Sequence, residues 1–188
     1  MKKHIMIGVM GTMLLAGCSS NNQEVKEDAF DYTVEQFADL QLLRYKVHGF
    51  EELPLEQKKL VYYLSEAALQ GRDILFDQNG MYNLIIRKML EIVYTDYQGD
   101  RNDANFKAME TYLKRVWFSN GIHHHYAADK FVPGFTPEFF KQALESVSED
   151  KLPLREGETL ASLCEEVFPV IFDAKVMAKR VNQADGEE

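Results

Sequence analysis

From position 55 onward, apolar residues return every third or fourth place, the spacing of one face of an α-helix. Leu60, Val61, Leu64, Ala67 and Ala68 form such a stripe, which predicts a helix from residue 55 to about 76, broken by Asp77-Gln78-Asn79-Gly80. Ile85, Met89, Ile92 and Val93 predict a second helix over about 82–94. Phe106, Met109, Leu113, Val116 and Trp117 predict a third, with Asn102 or Asp103 as N-cap and Asn120-Gly121 as its end. Thr136-Pro137-Glu138 combines a hydroxyl cap, a proline where no N–H is needed and an acid at the positive helix end, so a fourth helix starts there and buries Phe139, Phe140, Ala143, Leu144 and Val147. After a polar linker over 148–157, a fifth runs from about Thr159 and is kinked or stopped at Pro169, and 174–182 reads as a short further helix. Residues 41–47 suit a short extended piece, but no convincing alternation of period two is present. The fold class is mainly α.

The first residues follow a different logic. Met1-Lys2-Lys3-His4 is basic, residues 5–15 are apolar, and Ala16-Gly17 leads to Cys18, the three-part layout of a secretory signal. The apolar run is too short to span a bilayer, which needs about 20 residues. Leu15-Ala16-Gly17-Cys18 resembles the bacterial lipobox, which implies cleavage after residue 17 and acylation of Cys18. The expectation is therefore a signal peptide over 1–17, a polar tether over 18–28 and a helical domain over 29–188, exported and lipid-anchored to the bacterial cell envelope, at the periplasmic face or the outer membrane.

The chain has 188 residues, 46% of them hydrophobic, enough for one domain with a core that needs no disulfide or metal staple. Its net charge of −9 offers no basic surface for a phosphate backbone, so nucleic acid is not an expected partner. Of the two cysteines, Cys18 belongs to the signal, and Cys164 sits at helical spacing with Leu160, Leu163 and Val167 as a small buried hydrophobe.

Candidate chemistry is sparse. Ile122-His123-His124-His125-Tyr126 falls in the loop after the third helix. Adjacent histidines point in different directions, which does not suit zinc, so the cluster reads as a structural loop or as one that contacts a partner or substrate. No His-Glu-x-x-His, glycine-rich phosphate loop or Gly-x-Ser-x-Gly elbow follows the signal. No catalytic residue is assigned.

Two segments carry a resemblance. Residues 60–71, Leu-Val-Tyr-Tyr-Leu-Ser-Glu-Ala-Ala-Leu-Gln-Gly, are similar to the Tyr-x-x-x-Leu-Ser-x-Ala-Ala-x-x-Gly helix of dipeptidyl peptidase III, the zinc exopeptidase family M49. Residues 126–133, Tyr-Ala-Ala-Asp-Lys-Phe-Val-Pro, lie where many members carry Phe-Gly-Asp-Thr-Lys-Phe-Val-Pro, and residues 119–126, Ser-Asn-Gly-Ile-His-His-His-Tyr, resemble the Bacteroidetes branch. The resemblance runs from Phe30 to about Asp185. It implies the helical N-terminal portion of one lobe of a two-lobed metallopeptidase that removes dipeptides from the N-terminus of short peptides. The family's zinc is held by two His and a Glu within and beyond a His-Glu-x-x-x-His motif that this sequence does not contain. The expectation is a fragment, inactive alone, that binds no cofactor itself and lacks a zinc lobe. The aromatic before Asp129-Lys130-Phe131 lines the family's cleft, which makes Tyr126 the expected substrate contact, with Asn120 and Gly121 shaping its loop. Ala127-Ala128 departs from the family pattern. The alternative is an autonomous helical lipoprotein that serves as a peptide-binding or scaffolding module.

Overall fold

The computed structural model of the chain describes residues 30–179; the signal over 1–17, the lipidation position Cys18 and the tether over 18–28 lie outside the described residues. Within them the protein is mainly helical. Two short strands, β1 (Thr33–Phe37) and β2 (Leu40–Leu43), precede α1 (Leu55–Gln70), α2 (Arg72–Asn79), α3 (Asn83–Asp96), α4 (Ala104–Ser119), α5 (Pro137–Glu145) and α6 (Leu160–Phe172).

The core is built by α3 to α6. Ile86, Met89, Leu90 and Val93 of α3 meet Phe106, Met109, Leu113 and Val116 of α4, with Phe140, Ala143 and Leu144 of α5 and Leu163, Val167, Val170 and Ile171 of α6. Each large apolar side chain so buried contributes roughly 1.5–3 kcal/mol, so this cluster supplies most of the drive to fold. Phe135, Phe140, Phe168 and Phe172 add edge-on and stacked ring pairs at one end. Local signals set the helix starts. The Asp103 carboxylate accepts from the N–H groups of Asn105 and Phe106, Thr136 Oγ1 accepts from Phe139 N, and Thr159 and Ser162 form a reciprocal capping box. Cys164 is buried, and burial pushes its thiol pKa up, as befits a packing residue.

The structure departs from the sequence expectation in four places. The helix expected over 55–76 is two helices: at Gly71 the N–H turns back to Ala68 O, three residues away instead of four, and α2 continues through Asp77 and Gln78 to Asn79. The apolar stripe of α1 is not buried. None of its side chains is, and Leu60, Val61, Tyr62, Tyr63 and Leu64 all face solvent. Pro169 lies inside α6 without stopping it, because only three residues follow and the buried Val170 and Ile171 hold that last turn. Residues 174–177 form a turn where a helix over 174–182 was expected, and 180–182 lie outside the described residues.

The β-hairpin extends the expected extended piece to an unexpected partner. β1 escapes a period-two reading because a register irregularity between Thr33 and Glu35 spoils its alternation. The two strands turn through Ala38, at φ 48°, and lie on α4, where Glu35 and Asp39 pair with Lys114 and Arg115 at 2.5 Å each. Hydrogen bonding to Arg115 holds the Asp39 carboxyl below its ordinary pKa.

The arm formed by α1 and α2 joins the core at a buried cation, beside the buried Phe76 and the Asn79 bond to the end of α4. Arg87 of α3 is 2% exposed, and its Nη2 donates to Asp73 of α2 at 2.5 Å while its Nε lies 3.3 Å from Glu91. Its guanidinium also covers the ring of Phe76, the buried residue of α2, at 4.5 Å. The bond from Arg87 holds the Asp73 carboxyl below its ordinary pKa. Removing a partner from a buried charge costs more than removing the charge itself. Because the Asp73 side chain is half-exposed and Glu91 remains beside the guanidinium, solvent screens part of the loss: Asp73→Asn is expected to destabilise by about 1–2 kcal/mol, and Arg87→Met, which keeps the volume, by less; urea unfolding of both variants checks the order.

Candidate functional site

The loop that carries the sequence-predicted residues is built outward from the end of α4. Asn120 takes the left-handed conformation at φ 54°, the place expected for Gly121, and the N–H groups of both residues return to Val116 O. Gly121 is required for a different reason. A Cβ on it would lie 2.3 Å from Asn83 Nδ2. Asn83 is buried at the start of α3, and its Oδ1 accepts from Ile122 N at 3.1 Å. From the other side, Asn79 Nδ2 donates to Asn120 O at 2.9 Å. The chain therefore leaves α4 clamped between two asparagines, one from α2 and one from α3.

Residues 122–131 then fold back on themselves. Phe131 N donates to Ile122 O at 2.8 Å, His123 and Lys130 form a bridge, and His124 N donates to Asp129 O at 2.8 Å. Tyr126 stands at the tip, 91% exposed, with its N–H donated to His124 Nδ1 at 3.2 Å. That bond places the proton of a neutral His124 ring on Nε2. The rings pack inward from the tip: Tyr126 tilted against His125 at 4.2 Å, His125 stacked on His124 at 4.4 Å, and Phe118 edge-on to His125 at 4.9 Å. Tyr126 is thus presented on an aromatic stem, while Asn120 and Gly121 lie at the base and shape the loop. The two groups do not converge on one pocket.

The base of this small hairpin also holds the far end of α6. Lys130 Nζ donates to Asp173 O at 2.6 Å and Val176 O at 2.7 Å, and His123 Nε2 lies 3.0 Å from Met177 O. An ammonium here satisfies carbonyls left open at a helix C-terminus. Sequence reading missed this role, since Lys130 and residues 173–177 are more than forty positions apart. Burial lowers the pKa of Lys130, and burial likewise lowers that of His123, helped by the charge of Lys130.

The histidines serve packing more than ligation. His123 faces a backbone carbonyl, and His124 and His125 are stacked on each other. Among the described residues no group of three or more His, Cys, Asp and Glu is gathered as a metal ion needs. The loop histidines are not gathered as zinc ligands, and the resemblance places that metal in a motif this sequence does not contain. Also among the described residues, no helix is long and apolar enough to cross a membrane.

Compared with known proteins, the chain matches no family model and no curated protein.

Two outcomes follow from the geometry of the loop. Gly121→Ala is expected to cost about 1–3 kcal/mol, because the new methyl meets Asn83 below contact distance; thermal unfolding beside the parent chain measures it. A depressed His123 pKa means that its stability contribution is present above its ordinary value of 6.5 and is lost as pH falls below that toward the folded value. The Tm of the parent is therefore expected to fall relative to His123→Gln between pH 6.5 and 4.5, and to run parallel with it above pH 7.

Proposed function

We propose that this chain forms the helical N-terminal part of one lobe of a zinc dipeptidyl peptidase of the dipeptidyl peptidase III type, exported and held on the cell envelope by a lipid on Cys18. The observation that carries the reading is α1. Sixteen residues long, it buries no side chain, and its run Leu60-Val61-Tyr62-Tyr63-Leu64 is exposed all round. A helix that is apolar on several sides belongs inside a larger core. The patch continues onto α2 through Ile74 and Leu75, which makes it broader than the scattered apolar residues of an ordinary surface. The motif segments over 60–71 and 126–133 support the same reading, since the first is α1 and the second is the loop tip.

On this reading the chain contributes positioning and binding, not bond cleavage. Tyr126 offers a ring to the side chains of a short peptide, on a hairpin fixed to α4 and α6. Zinc and the water-activating Glu belong to the zinc lobe, whether that is supplied by the same gene or by a second polypeptide. An autonomous peptide-binding or scaffolding lipoprotein would need the α1 face covered by the chain itself.

Sequencing past the codon for Glu188, together with an intact mass from native cells, tests the proposal. The expected result is continuation into a His-Glu-x-x-x-His segment and a product that releases dipeptides and loses activity with a chelator. A stop codon and a mature lipidated mass matching residues 18–188, with a cooperative monomeric unfolding transition, would overturn it in favour of the scaffolding module. In the complete enzyme, Tyr126→Ala is expected to raise KM for short peptides about fivefold with little change in kcat, because an aromatic contact contributes roughly 1 kcal/mol of uniform binding.

A further inference from the structure

We propose that the strip of chain leaving the β-hairpin, Leu43 to His48, lies against the lipid surface that holds the protein's own anchor. Apolar and basic residues alternate along it, Leu43-Arg44-Tyr45-Lys46-Val47-His48, and all six are exposed. Tyr45 is 76% and Val47 70% exposed. Beside the strip, Tyr32, whose carbonyl accepts from Arg44 N at 2.9 Å, and Val34 of β1 are exposed as well. Single apolar residues on a surface are ordinary, whereas several gathered on one hairpin mark a contact surface. The charges of the hairpin are sorted by partner. Its acids Glu35 and Asp39 are taken up by Lys114 and Arg115 of α4, and the Asp31 carboxylate accepts from Thr33 N at 3.0 Å. Among the described residues, Arg44 and Lys46 are in no ion pair. Arg44 is positioned instead by donating to Asp31 O at 2.7 Å and by lying 5.1 Å from the centre of the Phe30 ring. A chain of net charge −9 thus keeps two free cations on this strip.

The place of the strip in the chain says what covers it. Eleven residues separate Cys18 from Phe30, a reach of at most about 40 Å at full extension, so an acylated Cys18 keeps the hairpin near the bilayer whatever path the chain takes. Among the described residues, no exposed large apolar side chain is nearer the anchor in sequence than Tyr32. The composition also suits the interface. Tyrosine rings settle at headgroup level, aliphatic side chains enter just below it, and Lys and Arg reach the phosphates of anionic lipids. So small a strip would not hold a protein on a membrane by itself. Once the acyl chains are inserted the contact is intramolecular, and a weak surface is then sufficient. Its effect is orientation: the hairpin is paired to α4 through Glu35 and Asp39, so contact at the strip fixes how α4 stands over the bilayer. The inference rests on the lipid anchor proposed above and does not depend on the peptidase reading.

Hydroxyl-radical footprinting read by mass spectrometry tests the contact. The full chain, purified with its native modification, is reconstituted into vesicles of phosphatidylethanolamine and phosphatidylglycerol, and the Cys18→Ser chain mixed with the same vesicles is the reference. The expected result is oxidation of Tyr32 and Tyr45 at least threefold slower in the anchored chain than in the reference, with Tyr126 reacting alike in both. Tyr45→Ser combined with Val47→Ser, both at exposed positions, should restore the reaction of Tyr32 while the chain stays on the vesicles. The mass of the Cys18 peptide separates the two readings. A chain without acyl groups there would overturn the anchor and the contact together. An acylated, vesicle-bound chain whose Tyr32 and Tyr45 react as fast as in the reference would overturn the contact alone. So would slow reaction of both tyrosines in the reference itself, which would mean that protein covers the strip, equal slowing at Tyr126, or undiminished protection of Tyr32 in the double variant.

Discussion

A guanidinium placed almost wholly inside the protein, that of Arg87, sets how α1 and α2 meet the core. Taking such a charge out of water costs several kcal/mol unless it is paired on the way. Arg87 is paired on two sides, by Asp73 from α2 and by Glu91 one turn along α3, and Glu91 in turn accepts from Trp117 Nε1 of α4 at 2.8 Å. Three helices are thereby fixed to one buried cation. Because α2 buries one side chain, Phe76, and that ring lies under the same guanidinium, α2 has little freedom to settle elsewhere. The direction of α1, which extends from α2 without burying anything of its own, is inherited from this arrangement.

The same helices carry the constraint to the loop. The end of α4 is held by Asn79 of α2 and Asn83 of α3, so the peptide plane at Asn120-Gly121 is fixed by the two helices that Arg87 joins. From there the hairpin over 122–131 has a rigid base, bonded to the end of α6 through Lys130 and His123, and an exposed tip at Tyr126. A fixed base with an accessible aromatic is an arrangement suited to contact with another molecule, since little conformational entropy remains to be lost on binding.

Much of this architecture is legible in the sequence where local chemistry and burial agree. Asp103 and Thr136 announce helix starts that the structure keeps, and the stripes of α3 to α6 mark mostly buried residues, although Trp117 of α4 is exposed and α3 turns by one position so that Ile86 and Leu90 face the core more fully than Ile85 and Ile92. Periodicity also finds α1 correctly as a helix, but it carries no information on whether a partner surface is present. The same stripe of Leu60, Val61 and Leu64 is exposed. Pro169 misleads because its cost depends on how many residues follow it. The β-hairpin is hidden by a bulge, and its attachment depends on ion pairs to residues more than seventy positions away. For the same reason Tyr126 can be placed in a loop from sequence, whereas the bond by which Asn79 clamps the end of α4 cannot, since Asn79 and Asn120 lie 41 positions apart.

The proposed function turns on α1 being half of an interface, since α1 buries no side chain against the chain's own core. Amide hydrogen exchange of the full chain is the decisive measurement, because it reads local opening residue by residue. Amides of α1 are expected to exchange far faster than those of α3 and α4, approaching unprotected rates while the core stays closed. Protection of α1 equal to that of α3 would mean that the chain covers this helix itself, and the interface would have to be abandoned.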